Sequence, residues 1–600
     1  MILHCTPPYT QDIPNPAIGY LKGFLEAKGI PVKNIYWNAI LANTILDLHE
    51  NAKKYTKGNE LVSNSGIAML LGRCLLTDLK DSIQTPIDLY LSSILSRNEI
   101  YRTVKSVKDQ IDQFITTNNL HKALISGFTL KTYQWPVSFY VIRRLKELNP
   151  ETTIVVGGIT NKEQGRKFME VFTQIDCAIW GEGEYPLFYL VKAVQENSSF
   201  RKVPNLVYRH GDRIMSTVSH SDCPPLDGYP FADHSDYFAQ FRKLIPLQTP
   251  TLVPIWGSRS CPWNKCKFCV LNEEYTYRVR SPQNIVEEIE YQSKKHGVSN
   301  FYFVDTELPG NKKRFKTLLR LLIKSMASRK KLYHFYAEIS PFFIDDEIAR
   351  LLHVASFKSI QIGFEAMTDS LLKKMCKRHR FAHNVQALKL ADQYDLNIGG
   401  LNVIRGIPSE TKEDIAESCI NVKFLRFCVR RFPLNPSVLS LFKGSPFYSE
   451  MPEKESWKEN IYWEEMIPTG LVPEADRFEF FGFNADPPVH YHLWKNFERT
   501  INSYSEQDRS YEWVEYAEGS FIEERGPKTY RYTLDRDETD ILLFCDSIKT
   551  FDQLKKKFSH VREDELLGIL RGLKEEGMVY YDADMRTIIS IVEAWKRKVV

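Results

Sequence analysis

Three cysteines fall within nine residues, Cys261-Pro-Trp-Asn-Lys-Cys266-Lys-Phe-Cys269, just after the apolar run Thr251-Leu-Val-Pro-Ile-Trp256. That run reads as a strand, so the thiols occupy a tight loop at its end. Soft thiolates on one loop can hold iron or zinc, because chelation spreads a single ordering cost over several bonds. Three close cysteines without an obvious fourth suit a [4Fe-4S] cluster that keeps one iron open. A structural zinc site needs one more ligand. Cys223 and His234 lie upstream and leave that alternative open.

At 600 residues the chain is too long for one core, and about three or four domains are expected. Its 43% hydrophobic and 26% charged content reads as an ordinary soluble composition. A net charge of +4 over this length implies no extended nucleic-acid footprint. No long uncharged apolar segment suggests a membrane span. The N-terminus, Met1-Ile-Leu-His-Cys5-Thr-Pro-Pro, lacks the charged start and longer apolar core of an export signal, and reads as a first strand. Eleven cysteines in so large a chain fit a reducing cytoplasm rather than a disulfide scaffold.

The expected fold class is α/β and multidomain. Residues 1–205 read as a doubly wound domain, with strands at Ile2–Cys5, Thr153–Val156 and Cys177–Trp180. Helices are expected around Ala17–Lys28, over most of 34–58 and 68–117, and at Val137–Leu148. The strands run into Pro7-Pro8-Tyr9, Gly157-Gly158 and Gly181-Glu182-Gly183-Glu184. Glycine at the carboxyl end of a parallel strand allows a ligand close to the backbone, although a tight structural turn uses the same residues. The Pro-, Asp- and Ser-rich stretch 206–248 reads as a linker.

From 249 to 450, strands at Asn300–Val304, Leu332–Ala337, Ser359–Gly363 and Ile398–Ile404 alternate with helical segments. One helix starts at Ser281-Pro282, a serine cap with proline in the first turn, and ends near Gly297. This rhythm predicts a parallel, partial βα barrel. Asp305, Glu307, Glu338, Glu365 and Arg405 fall at or just after strand ends, where such a barrel collects functional groups. Residues 451–530 form an aromatic-rich extension, either a lid over the substrate or a packed cover. Residues 531–600 read as a winged-helix-like domain: helices at Asp535–Cys545, Thr550–Phe558 and Arg562–Glu576, then a hairpin around Asp582–Met585. Its third helix is acidic as often as basic, which suits docking of a peptide or protein better than duplex reading.

Together these motifs resemble a cobalamin-binding radical S-adenosylmethionine (SAM) enzyme over roughly residues 1–450. The likeness is closest to the C-methyltransferases that mature ribosomally made peptides. The wider superfamily spaces its cysteines by three and then two residues; here the gaps are four and then two. The peptide-modifying branch is known for a lengthened first gap. The resemblance implies a [4Fe-4S] cluster on Cys261, Cys266 and Cys269, with SAM on its open iron and cobalamin in the first domain. Asp305 and Glu307 would lie near the methionyl amine, Phe268 near the adenine, and Glu338 and Glu365 at later charged positions. Pro7, Pro8 and Tyr9 would approach the corrin, with Gly157, Gly158, Gly181, Glu182 and Gly183 forming turns of the cobalamin domain. Gly406-Ile-Pro408-Ser409-Glu410 resembles the barrel's glycine–proline–glutamate turn, with Ser409 replacing a commoner glycine. The string Asp47-Leu-His49-Glu-Asn-Ala52 lacks the glycine of a histidine-on cobalamin motif, so His49 reads as an ordinary helical residue.

The implied reaction is reductive cleavage of SAM, hydrogen removal from an unactivated carbon and methylation by methylcobalamin. The implied partners are a ribosomally made precursor peptide and a one-electron reductase. No catalytic residue beyond the cluster ligands is singled out. The same cofactors also support cyclisation or rearrangement of a small molecule. Sulfur insertion would favour a second cluster, but Cys376, Cys419, Cys428 and Cys545 form no compact motif. A non-catalytic metal sensor, with the tail reading nucleic acid, is the remaining alternative; it would bind duplex in a salt-sensitive way without cleaving SAM.

Overall fold

The structure, a computed structural model, describes residues 1–47, 71–72, 74–76, 97–131, 134–218, 224–244, 251–271, 275–450, 457–459, 483–485 and 490–600. His49, Cys223 and most of the stretch 451–489 lie outside the described residues. Among the described residues, no helix is long and apolar enough to cross a membrane.

Seven strands form the first sheet: β1 (Ile2–Cys5), β2 (Lys33–Tyr36), β3 (Ile125–Thr129), β4 (Thr153–Ile159), β5 (Cys177–Trp180), β6 (Leu206–His210) and β7 (Arg213–Ser216), in the order β2-β1-β3-β4-β5-β6-β7. The first five are parallel, and β6 and β7 add an antiparallel edge. The chain steps outward from β1 to β2 and returns to β3, so a switch point opens between β1 and β3. Helix α1 (Pro16–Ala27) makes the first crossover, started by Asn15, whose side chain accepts from the Ile18 N–H, and followed by Gly29 at φ +79°.

Three sequence expectations are corrected here. The central strand β3 was not anticipated, because Gly127 interrupts its apolar run. That glycine is required by packing, since a Cβ there would lie 2.7 Å from Leu3 Cδ2 on β1. Lys33–Tyr36 is a strand rather than helix, and no turn residue separates it from the helical turn beginning at Trp37. Residues 206–216 are not linker: they fold as the β6–β7 hairpin around Gly211, at φ +58°. Helix α6 (Ser235–Leu244), counted after α2 (Arg97–Thr117), α3 (Trp135–Leu148), α4 (Lys162–Val171) and α5 (Glu184–Gln195), returns to cover the edge of β2. There Asp236 accepts from the Asn34 N–H at 2.8 Å and Gln240 from the Tyr36 N–H at 3.0 Å. Polar groups of an exposed edge strand are thereby satisfied.

The second parallel sheet has the order β14-β13-β12-β11-β8. Its strands are β8 (Leu252–Ile255), β11 (Asn300–Phe303), β12 (His334–Ile339), β13 (Phe357–Ile362) and β14 (Ile398–Gly399). Gly400, at φ +60°, separates β14 from β15 (Leu401–Arg405), which pairs in parallel with β16 (Leu434–Val438). A bridge between Glu365 and Val403 joins the pair to the end of β13. Helices α7 (Pro282–His296), α8 (Lys312–Arg329), α9 (Asp346–Val354), α10 (Asp369–Lys374), α11 (Phe381–Gln393) and α12 (Lys412–Asn421) connect these strands. A short antiparallel ribbon, β9 (Ser258–Arg259) with β10 (Arg278–Val279), stands at the end of β8. One apolar core runs through both parallel sheets. Tyr20 on α1 crosses between them: its hydroxyl donates to Glu288 at 2.9 Å, and its ring stacks on Trp256.

The tail has its own core, around Trp513, Ile541, Leu570 and Val579. Its helices, α14 (Arg536–Phe544), α15 (Phe551–Lys557) and α16 (Glu563–Glu575), and the hairpin β20 (Val579–Tyr581) with β21 (Ile588–Ser590) follow the expected order, after α13 (Tyr491–Ser505). The expected boundary at 531 is displaced, however. Strands β17 (Ser510–Tyr516), β18 (Gly519–Arg525) and β19 (Tyr530–Asp535) form a sheet with the last strand, β22 (Arg597–Val599), so 510–530 belong to this unit. Buried charges tie it to the barrel. Lys389 on α11 donates to the Ser590, Val592 and Asp546 carbonyls at 2.7, 3.1 and 3.1 Å, and to the Asp546 carboxylate. Arg426 reaches Glu524 at 3.0 Å and the Gly577 carbonyl at 2.7 Å. Lys389→Met is expected to leave these carbonyls unsatisfied and to cost about 3 kcal/mol. Chemical denaturation should show it as an earlier transition, with faster proteolytic release of residues 510–600.

Candidate functional site

The cysteine loop is held at its stem before any ligand is considered. Asp305, just past β11, is 2% exposed. Its Oδ1 accepts from Ser258 Oγ at 2.6 Å and its Oδ2 from the Gly257 N–H at 2.8 Å. Burial pushes this carboxyl up to about 6. A Cβ at Gly257 would crowd Asp305 Oδ1 at 3.0 Å, so a side chain there would push on the anchoring carboxylate. Arg314 on α8 then donates to the Gly257 and Leu308 carbonyls at 2.9 and 3.0 Å. Both oxygens of Asp305, a residue expected beside a SAM amine, are engaged at the stem that leads into the thiols, one by the Gly257 N–H and one by the Ser258 hydroxyl.

The loop is pinned along its length as well. Trp263 Nε1 donates to the Cys376 carbonyl at 2.6 Å, and the Lys267 N–H to the Met375 carbonyl at 3.1 Å. Cys261, Cys266 and Cys269 are all free and partly buried. Burial pushes the Cys266 thiol up to about 12, with Lys377 pulling the other way. Among the described residues, no three His, Cys, Asp or Glu side chains form a group already arranged to hold a metal ion. His234, an alternative zinc ligand, is fully buried against Gly19 on α1, where a Cβ would come within 2.4 Å of its ring.

Charged groups gather beside the thiols. Glu307 Oε2 lies 3.9 Å from Cys261 Sγ and 3.7 Å from Arg378 Nη2, while its buried Oε1 has no hydrogen-bond partner. Arg378 Nε and Nη2 are likewise buried without hydrogen-bond partners, and the guanidinium packs on Trp263, Phe342 and Phe343. A carboxylate oxygen and guanidinium nitrogens left unsatisfied side by side suit a ligand carrying both an ammonium and a carboxylate. Lys377 donates to Glu365 at 2.9 Å and lies 5.5 Å from the centre of the Phe268 ring. Glu338 is held above the usual carboxylate range by burial and by Glu365. Lys377 and Arg378 were missed from sequence; the signal was the basic run Lys373-Lys-Met-Cys-Lys-Arg378 after Gly363-Phe-Glu-Ala. Arg405 is paired with Glu498, and Glu410 accepts from the Gly406 N–H at 2.8 Å and from Trp494 Nε1 at 2.9 Å.

A cavity of ≈330 Å³ opens at the carboxyl ends of β1, β3, β4 and β5. Tyr9, Gly157, Gly158, Gly181, Glu182 and Gly183 all line it, whereas Pro7 and Pro8 only shape the turn before Tyr9. Gly157 faces open space, with nothing within 4 Å of a Cβ placed there. Gly158 sits at φ +76°, and a Cβ would meet Lys131 Cγ at 2.9 Å. Gln134 is fully buried in the wall; its Nε2 donates to the Thr6 carbonyl at 2.9 Å and its Oε1 has no partner. That orphaned acceptor suits a ligand bearing amide N–H groups. Asn161 caps α4 by accepting from the Gln164 N–H at 3.0 Å.

Segments that flank the cysteine loop form part of the cavity wall. Trp256, Arg259 and Tyr275, which flank the cysteines in sequence, line the cavity opposite the Gly181–Glu184 turn. Glu182 was expected to meet a cofactor, but its carboxylate is taken by Arg259, at 2.5 Å, and by Arg278. Arg259 also forks onto Glu184, which the sequence reading had treated only as part of the turn.

Residues 257–419 match the Radical SAM superfamily. A curated relative, the anaerobic magnesium-protoporphyrin IX monomethyl ester cyclase of Cereibacter sphaeroides, is 28% identical over 278 residues, covering 45% of this chain and 44% of that protein. The chain spans about half the length of the curated relatives it matches. Among solved structures, the radical SAM methyltransferase TsrM from Kitasatospora setae, with cobalamin and a [4Fe-4S] cluster bound, is similar at a TM-score of 0.53 and 15% identity. That likeness covers 84% of this chain and 90% of TsrM. The cobalamin-dependent SAM radical enzyme OxsB, with aqua-cobalamin and SAM bound, is similar at a TM-score of 0.57 and 13% identity, over 83% of this chain and 65% of OxsB. The chain thus contains a Radical SAM domain within a fold similar to those two proteins.

Gly157→Leu is expected to fill the cavity while leaving the fold intact, since the added atoms enter open space. Hydroxocobalamin retained through gel filtration should fall at least about tenfold, equivalent to about 1.4 kcal/mol. The melting temperature should stay within about 2 °C of the parent.

Proposed function

We propose that this chain is a cobalamin-dependent radical SAM enzyme that methylates carbon, and that its substrate is a peptide. The observation that carries the cofactor reading is that Trp256, Arg259 and Tyr275, which flank the three-thiol loop in sequence, line the glycine-turned cavity of another sheet. Cys261, Cys266 and Cys269 would hold three irons of the cluster, the donor set that three soft thiolates on one loop provide. Glu307 and Arg378 would orient the amino-acid end of SAM, using the polar atoms left without partners. Gly157, Gly158 and Gln134 would face cobalamin, and Tyr9 would close the cavity from the first loop. When bound, the cluster with SAM supplies a radical strong enough to remove hydrogen from unactivated carbon, and cobalamin supplies the methyl group.

The chain's own contribution is placement. The Asp305 anchor and the contacts of Trp263 and Lys267 hold the stem and backbone of the loop, so that the three thiols would have only their own side chains to gather when a cluster forms. The peptide assignment is supported by the lengthened Cys261–Cys266 gap and by a tail whose third helix begins with Glu563, Asp564 and Glu565. A second reading, ring formation on a small molecule, is favoured by the similarity to a magnesium-protoporphyrin ester cyclase.

The test is anaerobic incubation with dithionite, SAM carrying a trideuterated methyl group and a peptide library. The expected results are 5′-deoxyadenosine release and transfer of the label to peptide carbon, both lost in Cys266→Ala. Cleavage of SAM with unlabelled products would favour the second reading. No cleavage by protein with a full cluster would reject both.

A further inference from the structure

Resting on that two-cofactor reading, we propose that Arg259, with Arg278 opposite it, is a positioning residue that sets the spacing between the cysteine loop and the corrinoid cavity. The two arginines face each other across the β9–β10 ribbon, and the cysteines lie on the loop between them. Both guanidinium groups therefore mark the stems of the same loop, and both are bound to one turn of the other sheet. Arg259 forks onto Glu184 and reaches Glu182 at 2.5 Å. Arg278 donates to the other oxygen of Glu182 and to the Pro224 carbonyl at 2.7 Å.

The joint is dry and directional. Arg259 is 7% exposed and Glu184 is 4% exposed, with the guanidinium packed between Trp256 and Tyr229. A bidentate fork in such surroundings resists both sliding and rotation, which an ammonium at the same place would not. Glu182 lies between Gly181, at φ +70°, and Gly183, so the arginine contacts add side-chain ties to a turn otherwise held by backbone bonds, from the Gly181 N–H to the Ile159 carbonyl at 3.1 Å and from the Leu187 N–H to the Gly183 carbonyl at 2.9 Å. A shift of the turn would move the cavity wall relative to the thiols. Hydrogen removal by one cofactor and methyl delivery by the other would have to meet at a single substrate carbon, and such convergence tolerates misplacement poorly.

The direct test is EPR of the full-length protein carrying a reduced cluster and cob(II)alamin, reading the magnetic interaction between the two spins. The parent should give one narrow distribution. Arg259→Lys, which keeps the charge and loses the fork, should broaden it roughly twofold at unchanged iron and corrinoid content. An unchanged width overturns the proposal. If Arg259→Lys fails to fold, Glu182→Gln replaces it, since it removes the one carboxylate that Arg259 and Arg278 share; an unchanged width in that variant is equally contrary. Hydrogen–deuterium exchange of residues 257–260 and 276–280 in cofactor-free protein supplies an independent readout, with faster exchange expected in either variant. Equal exchange overturns the clamp whatever the cofactors do. A parent protein that takes up iron but no corrinoid defeats the functional reading instead, and the exchange result still decides the clamp.

Discussion

Arg259 is an always-charged group buried between two elements, and the structure depends on how that charge is accommodated. Removing a guanidinium from water costs several kcal/mol, an amount offset only by carboxylates in good geometry. Glu182 and Glu184 provide them from the first sheet, and Arg259 itself belongs to the stem of the cysteine loop. Each parallel sheet leaves its open, ligand-ready edge at the carboxyl ends of its strands. The ion cluster joins the two edges, and Tyr20, Glu288 and Arg280 make a second buried joint beside it. Through that arrangement Trp256 and Arg259, at the stem of the cysteine loop, line the cavity of the first sheet.

Much of this was legible from sequence because the signals were local. Ser281, Pro282 and Gly297 bound α7 as expected, and Gly181 follows β5 as expected, whereas β4 runs on through Gly157 and Gly158 to Ile159. The cysteine spacing exposed the loop, and strand ends exposed Glu307 and Glu365. What was missed depends on contacts distant in sequence. Nothing local in Leu124-Ile-Ser-Gly-Phe-Thr shows that Gly127 is a contact point for Leu3, so the central strand went unread. The β6–β7 hairpin was hidden by the polar composition around it. Asp305 and Glu182 sit where ligand contacts were expected, yet their partners, Gly257 and Arg259, are supplied by chain segments 48 and 77 residues away, as their numbering shows.

The tail illustrates the same division. Its helices were readable from apolar spacing and from caps such as Thr550 and Asp535. Its attachment was not, because a lone lysine in a helix such as α11 ordinarily reads as solvated. Lys389 instead fills a nest of carbonyls from Asp546, Ser590 and Val592. A second tie, Arg380 to Asp582, begins two residues after Arg378, which lies beside Glu307 and Trp263. The tail is therefore bonded to the same segment that supplies charge to the candidate site.

The central claim is that one chain brings an iron–sulfur loop and a corrinoid cavity together. It is tested most directly by the iron and corrinoid content of the protein after anaerobic reconstitution with iron, sulfide and hydroxocobalamin. The account requires about four irons and about one corrinoid per chain. Stoichiometric zinc without a cluster, or a full cluster without corrinoid, would contradict it.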